Sequence, residues 1–510
     1  MLAKILSAAV VGIDGFIVQV EVDLAQGLPA FSTVGLPEGA VRESKDRVKA
    51  AVKNSGYDFP LRKITVNLAP AAVKKEGAGY DLPIALGILA ASGTLKNTDL
   101  HNYCVVGELS LDGAVSPVRG ILPMVLAARD NGVKRFLVPH ANAYEAAVVQ
   151  DVEIVSVGRL DEAVEKLCGI RKIEPIRTDI DAVFKVNNCY NVDFAEVKGQ
   201  EFAKRAMEVA AAGGHNILLN GVPGAGKTMM ARRLATILPD LCLEEALETT
   251  KVYSTTGLLP DEKPLMVTRP FRSPHHTISD AGLIGGGQFP RPGEVSLAHN
   301  GVLFLDELPQ FKKNVLEVMR QPLEDGVVTI SRASSSLRFP ARFMLVAAMN
   351  PCPCGYLGDQ TRECTCTPVQ VQRYQGRLSG PLLDRIDMHI DVPSVKIKEI
   401  AKIKNGVSSK QMRDKVNMAR QVQDERFQRD TGIYSNAQMG PSQIKKYCHL
   451  DSTTSDILHR SIEHLGLSAR AYHRVIKIGR TIADLDSSDT VKTNHITEAI
   501  QYRRLPSANK

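Results

Sequence analysis

The stretch "HNILLNGVPGAGKTMMARRLA" places an apolar strand, Ile217–Leu219, directly before Gly221-Val222-Pro223-Gly224-Ala225-Gly226-Lys227-Thr228 and a helix-forming segment. Glycines at this spacing let backbone N–H groups turn inward onto phosphates at a helix N-terminus. Lys227 supplies charge for β- and γ-phosphates, and Thr228 a hydroxyl for Mg²⁺. About 80 residues on, "GVLFLDELPQF" ends an apolar strand in two carboxylates. Asp306 is placed to hold the Mg²⁺ shell, and Glu307 to polarise a water for in-line attack on a γ-phosphate. "FMLVAAMN" ends a third apolar run in Asn350, a polar residue at the edge where that water must be positioned. Together these residues describe a site for hydrolysing ATP with Mg²⁺.

Two further groups adjoin this set. "LSGPLLDRIDMHIDV" carries Arg385, and "LGLSARAYHRVIKIGR" carries Arg470 on a helical pattern. Either is a salt-bridged surface residue or part of an AAA+ layout, in which one arginine reaches a neighbouring subunit's γ-phosphate and another contacts nucleotide in its own. "NPCPCGYLGDQTRECTCTP" holds four of the chain's nine cysteines as two Cys-x-Cys pairs, Cys352/Cys354 and Cys364/Cys366. Thiolates bind Zn²⁺ tetrahedrally, and four in one loop can close around one ion. Such a site has no open position for chemistry, so its expected role is structural: to pin the loop that leaves Asn350.

The elements that must position these groups follow from pattern. At 510 residues with 44% hydrophobic and 23% charged residues, the chain is a core-forming protein of about three domains, since single cores stop growing near about 250–300 residues. Residues 1–168 read as mixed α/β: "MLAKILSAAVVGIDGFIVQVEV" is a strand rather than a signal peptide, "KITVNLAPA" alternates, and "YDLPIALGILAASG" is a buried helix closed by Gly93. A connector at 169–191 leads to alternating strands and helices over 192–394, the pattern of a parallel sheet. Residues 395–510 read as helical and basic, with 21 Lys and Arg against 12 Asp and Glu, in a chain of net charge +7. That surplus suits a polyanion, or simply a solvated helical surface. No run is long and apolar enough to span a bilayer, and scattered, odd-numbered cysteines argue for a reducing cytoplasm.

The chain resembles the ComM/YifB group of magnesium-chelatase-like AAA+ ATPases. The resemblance rests on "RPFRSPHHTISDAGLIGGGQFPRPGEVSLAHNGVLFLDELPQF", "RQPLEDGVVTISRA", "VAAMNPCPCG" and "LSARAYHRVIKIGRTIADL". It implies a ring-forming, hexameric motor with Asn350 as first sensor, Arg385 as finger and Arg470 as second sensor in a helical lid. It also implies branch migration of branched or single-stranded DNA during recombination in natural transformation. "FRSPHHTISDAGLIGGGQFPRPGE" interrupts the strand–helix alternation as a helix-2 insert. "GVVTISRASSSLRFPARF" reads as a hairpin, Val327–Ser331 and Leu337–Phe339, flanked by Arg332 and Arg338. In related helicases such hairpins face the pore and grip DNA.

The first 168 residues resemble the Lon-protease fold, an α+β domain. Lon-like enzymes use a Ser–Lys pair. Here Tyr80-Asp81-Leu82 stands where the serine is expected and Leu122 near the lysine position. Ser116, or Ser44 with Lys45, does not fit the family positions, so the domain is expected to be proteolytically inactive. The competing functions are a chelatase-type ATPase that remodels a protein partner and an ATP-dependent protease.

Overall fold

The computed structural model describes residues 1–95, 100–186, 191–260, 263–287, 290–332, 335–359, 362–394, 406–430, 432–466 and 468–503. The hairpin tip, the Arg332 side chain, the first residues of the basic region and the C-terminal tail lie outside this description. Two compact units emerge: Met1–Asn188 with Leu243–Val267, and Cys189–Cys242 with Thr268–Lys510.

The first unit is built on a seven-stranded mixed sheet in the order Ala30–Val34, Lys63–Ala69, Asp14–Ala25, Leu2–Val11, Tyr103–Val105, Arg135–Pro139, Glu153–Val157. The opening segment, expected as one strand, is two antiparallel strands that turn at Gly12, whose φ of 67° suits glycine. Val18, Val20 and Val22 alternate inward and are fully buried. The helix Asp81–Ala91 is buried on nearly every side, which explains its run of apolar residues without a polar stripe. The helix Leu243–Thr256 packs here too, with Gly120 donating to the Ser254 carbonyl at 3.1 Å. From sequence, those residues read as part of a continuous ATPase core.

The second unit holds a five-stranded, wholly parallel sheet in the order Phe271–Arg272, Val302–Leu305, Met344–Met349, Ile217–Gly221, Met388–Val392. Its three central strands, Val302–Leu305, Met344–Met349 and Ile217–Gly221, are buried along their length because both faces are covered. Among the described residues five helices follow: Ser409–Phe427, Pro441–Tyr447, Ser452–Leu465, Ala469–Leu485 and Thr493–Gln501. Met412, Val416, Val475 and Ile478 join Ile217, Leu219 and Val346 in one apolar cluster, so the helical region shares its core with the sheet. Polar ties reinforce this. Within the helical region Arg426 reaches Asp484 through Nη1 and Nη2 (2.8 and 2.5 Å), and His215, just before the strand Ile217–Gly221, pairs its Nε2 with Thr481 Oγ1 at 2.8 Å.

Candidate nucleotide site and the cysteine cluster beside it

In a parallel sheet, the loops leaving the C-terminal strand ends share one edge. Asn220 is paired with Met349, and Leu305 with Ala347, so Gly221, Asp306 and Asn350 leave that edge together. Gly226, in the left-handed region at φ 84°, caps the helix Lys227–Ile237, and Gly224 has φ 77°. Gly221 serves another purpose. A Cβ there would lie 2.3 Å from the Val392 carbonyl oxygen, so glycine permits the neighbouring strand to approach.

Lys227 is buried, and its ammonium donates to the carbonyls of Gly221 (2.6 Å) and Val222 (3.0 Å) and to Asn350 Oδ1 (3.1 Å). Burial pulls this amine below the ordinary lysine range, against the attraction of Asp306 and Glu307. Thr228 Oγ1 donates to Asp306 Oδ2 at 2.8 Å, and Asp306 Oδ1 accepts the Glu307 N–H at 2.9 Å. The structure thus brings together Lys227, Thr228, Asp306, Glu307 and Asn350, contributed by three strands. An oxygen pair from Thr228 and Asp306 fits a hard cation such as Mg²⁺.

The two arginines lie elsewhere. Arg385 is buried; its Nη2 pairs with Glu324 Oε1 at 2.5 Å and its Nη1 donates to the Pro381 carbonyl at 2.7 Å. Arg470 is exposed on the helix Ala469–Leu485. The Glu324 carboxyl is held below its usual range first by the Arg385 hydrogen bond, with further pull from Arg470 and Arg320. Among the described residues, Arg385 pairs with Glu324 and neither arginine bonds to the phosphate loop. Glu324 carried no signal in the sequence.

The four cysteines converge. Their sulfurs all lie within 4.8 Å of one another, with Cys352–Cys354 at 3.4 Å, Cys354–Cys364 at 3.5 Å and Cys352–Cys364 at 3.6 Å. A tetrahedron with Zn–S bonds of about 2.3 Å has edges of about 3.8 Å, close to these separations. The Tyr356 N–H draws the Cys354 thiol down to about 5. The N–H groups of Cys366 and Cys354 donate to the Cys364 and Cys366 sulfurs, but burial and the neighbouring sulfurs outweigh them and push both thiols up, as expected where four sulfurs crowd together. Such donors stabilise thiolate charge, so the residues fit a zinc ion. The turn they build touches the nucleotide site: a Cβ on Gly355 would lie 2.7 Å from Pro223 Cγ and Cδ and 3.9 Å from Asn350 Cγ.

The hairpin forms over Val327–Arg332 and Ser335–Pro340, with Arg338 opposite Thr329. Val328, Ile330 and Phe339 are buried and anchor it, whereas Arg338 is exposed. In the first unit, Ser44 is buried and donates to the Val41 carbonyl at 2.7 Å while Lys45 faces outward. Ser116 pairs with Ser110 at 3.2 Å, Leu122 is buried, and Asp81 receives Arg47 at 2.7 and 3.1 Å.

Family comparisons cover most of the chain. Residues 193–400 match the family described as magnesium chelatase, subunit ChlI; residues 20–142 match subunit ChlI of Mg-chelatase, and 406–503 the ChlI C-terminal region. The chain is 43% identical over 510 residues to the competence protein ComM of Haemophilus influenzae, covering 99% of this chain and 98% of that one. It is 43% identical over 500 residues to YifB of Escherichia coli, covering 98% and 96%. The 38 kDa magnesium-chelatase subunit of Rhodobacter capsulatus is 28% identical over 220 residues, covering 39% of this chain and 56% of that one.

Proposed function

The chain belongs to the ComM/YifB group of magnesium-chelatase-like AAA+ ATPases, and on that premise we propose that it is a ring-forming, hexameric motor that uses ATP hydrolysis to drive branch migration of DNA. The observation that carries the ATPase reading is the contact set Lys227–Asn350 and Thr228–Asp306, which gathers the phosphate loop, both carboxylates and the sensor at one sheet edge. Mg²⁺, held by Thr228 and Asp306, would supply charge neutralisation at the phosphates. Lys227 binds and orients the phosphates. Asn350 orients water, and Glu307 takes its proton as the oxygen attacks the γ-phosphorus and the bond to ADP breaks. Arg385 serves as finger and Arg470 as second sensor. Zn²⁺ on Cys352, Cys354, Cys364 and Cys366 is structural, and the thiol cluster suits a cytoplasmic protein.

The DNA assignment is supported by the full-length likeness to a competence protein, by the hairpin with exposed Arg338, and by the basic composition of residues 395–510. We read residues 1–168 as a proteolytically silent domain, because Ser44 and Ser116 are bonded to groups other than an amine base. The partial likeness to a chelatase subunit keeps remodelling of a protein partner as the second reading. ATPase rates with and without branched or single-stranded DNA separate the two. DNA stimulation, with Glu307→Gln binding ATP but not turning over and Lys227→Ala losing binding, supports the motor. A rate indifferent to every DNA would remove DNA from the mechanism. Charge reversal at Arg332 and Arg338 should leave basal hydrolysis and uncouple it from strand movement.

A further inference from the structure

The segment after the strand Phe271–Arg272 departs from sheet alternation, and the ATPase residues leave it unexplained. Phe271 and Arg272 are paired in parallel register with Val302 and Leu303. The chain leaving Arg272 therefore emerges beside the chain leaving Leu305, which carries Asp306 and Glu307. His276 stands at that point. Its Nδ1 lies 3.7 Å from Glu307 Oε2, with the imidazole 32% and the carboxylate 54% exposed.

The His276 ring and the Glu307 backbone are both held. The His276 ring lies against His275, centroids 4.1 Å apart, and meets the Phe311 ring edge-on at 6.4 Å. His275 is in turn fixed by Thr277, with Nδ1 and Oγ1 2.9 Å apart. Glu307 has φ 52°, a left-handed backbone that non-glycine residues adopt at a cost and that clusters at functional sites. Its N–H is engaged by Asp306, and the Gln310 N–H donates to its carbonyl at 2.7 Å. The backbone is thus fixed while the carboxylate still has rotational freedom, and a water-activating base needs that freedom removed.

We propose that His276 is a positioning residue for Glu307: the proton on Nδ1 holds Oε2, which leaves Oε1 to accept the proton of the attacking water. At 3.7 Å the pair is longer than a hydrogen bond; contacts between catalytic partners commonly shorten only when substrate closes the site. The segment that continues through the Ser279-capped helix Asp280–Ile284 and the strand pair Gly285–Gly286 and Arg291–Pro292 thereby reaches the water-activating carboxylate through its first residues.

The inference rests on Glu307 being the base, and the experiment keeps the two apart. In the full-length protein with Mg·ATP, His276→Ala should lower kcat roughly ten- to a hundredfold, with KM and the affinity for a non-hydrolysable ATP analogue within about twofold of wild type. Asparagine can place an amide N–H near the Nδ1 position and glutamine cannot, so His276→Asn should recover more turnover than His276→Gln. These near-isosteric variants also guard against a folding defect in the alanine variant, which thermal melting would report. In a Glu307→Gln background, His276→Ala should add no further loss. Wild-type kcat in His276→Ala, a raised kcat, or asparagine no better than glutamine overturns the positioning role while Glu307→Gln stays inactive. Turnover by Glu307→Gln alone overturns the base assignment itself.

Discussion

Replacing Gly355 by alanine should weaken ATP binding, although the residue lies outside the phosphate loop. Gly355 has φ 89°, and an added Cβ would sit 2.7 Å from Pro223 Cγ and Cδ. The left-handed backbone costs an L-residue about 1–2 kcal/mol, and overpacking adds about 1–3 kcal/mol. The clash can relax in two ways. Pro223 shifts and carries the phosphate loop with it, or the turn withdraws and displaces the sulfurs of Cys352 and Cys354. Both routes damage a site that the turn supports. Gly358 is the matched control, because its φ is 81° but nothing lies within 4 Å of an added Cβ, so only the backbone term applies. Nucleotide titration, metal analysis and thermal melting should be run on both variants. Gly355→Ala is expected to lose at least about tenfold in ATP affinity, equivalent to about 1.4 kcal/mol, with Gly358→Ala within about twofold of wild type. Wild-type affinity, zinc content and melting temperature in Gly355→Ala would refute the coupling.

Protein purified without chelator should contain about one Zn²⁺ per chain, and changing Cys352 and Cys354 together to serine should remove it and lower the melting temperature; active protein without zinc would end that assignment. Lys227→Ala and Arg385→Ala should each be nearly inactive, yet mixing them before assembly should restore some ATPase, since roughly a quarter of random head-to-tail interfaces pair an intact Lys227 with an intact Arg385. Full DNA-stimulated hydrolysis by Arg385→Ala alone would transfer the finger role to Arg377, which is exposed and donates to the Pro309 carbonyl at 3.2 Å. Burial pulls the His215 pKa down to about 4. The unfolded chain, with a value near about 6.5, therefore binds the proton first. This contribution, on the order of 3 kcal/mol, is complete above that pH and is lost as pH falls toward 4. Urea melts at pH 7 and pH 4.5 should show a smaller difference in His215→Gln than in wild type; equal differences would assign the acid sensitivity elsewhere.

The convergence of the candidate nucleotide-site residues was legible because each sits within a few positions of the strand that presents it. Strand, loop and chemistry are adjacent in sequence at Gly221–Thr228, at Asp306–Glu307 and at Asn350. What escaped depends on partners distant in the chain. Gly221 looked like a phosphate-loop glycine, yet the strand ending at Val392 is what forbids its side chain. Two Cys-x-Cys pairs indicated a metal site, but nothing in their spacing indicated that Gly355 would meet Pro223. The finger role of Arg385 came from the family resemblance; its burial on Glu324 depends on the helix Arg320–Asp325. The helix Leu243–Thr256 follows the ATPase pattern in sequence and packs against Ile121–Asp130 instead, because an apolar stripe records that a face is covered and not by what.

Glu324 also links the proposed nucleotide interface to the hairpin proposed to grip DNA. The helix Arg320–Asp325 ends at Gly326, where the hairpin begins, and the Ala341 N–H closes the hairpin base onto the Gly326 carbonyl at 2.8 Å. Two residues before that base, Glu324 holds Arg385. Two residues after Arg385, Asp387 takes Arg474 from the helix Ala469–Leu485 and accepts the Asn216 N–H at 2.9 Å, next to the phosphate-loop strand. Hairpin, Arg385, helical region and the strand Ile217–Gly221 are therefore joined by consecutive bonds within a few residues. In the proposed finger role, Arg385 must leave Glu324 to reach a neighbour's phosphate. Stripping a buried arginine of its carboxylate costs about 3–5 kcal/mol, less here because Glu324 is half-exposed. A phosphate of the neighbouring subunit would replace the lost counter-charge, whereas ADP without a γ-phosphate would do so less well. On that account, the charge state of one interface sets whether Glu324 is bound or free, and Glu324 lies on the helix that carries the hairpin.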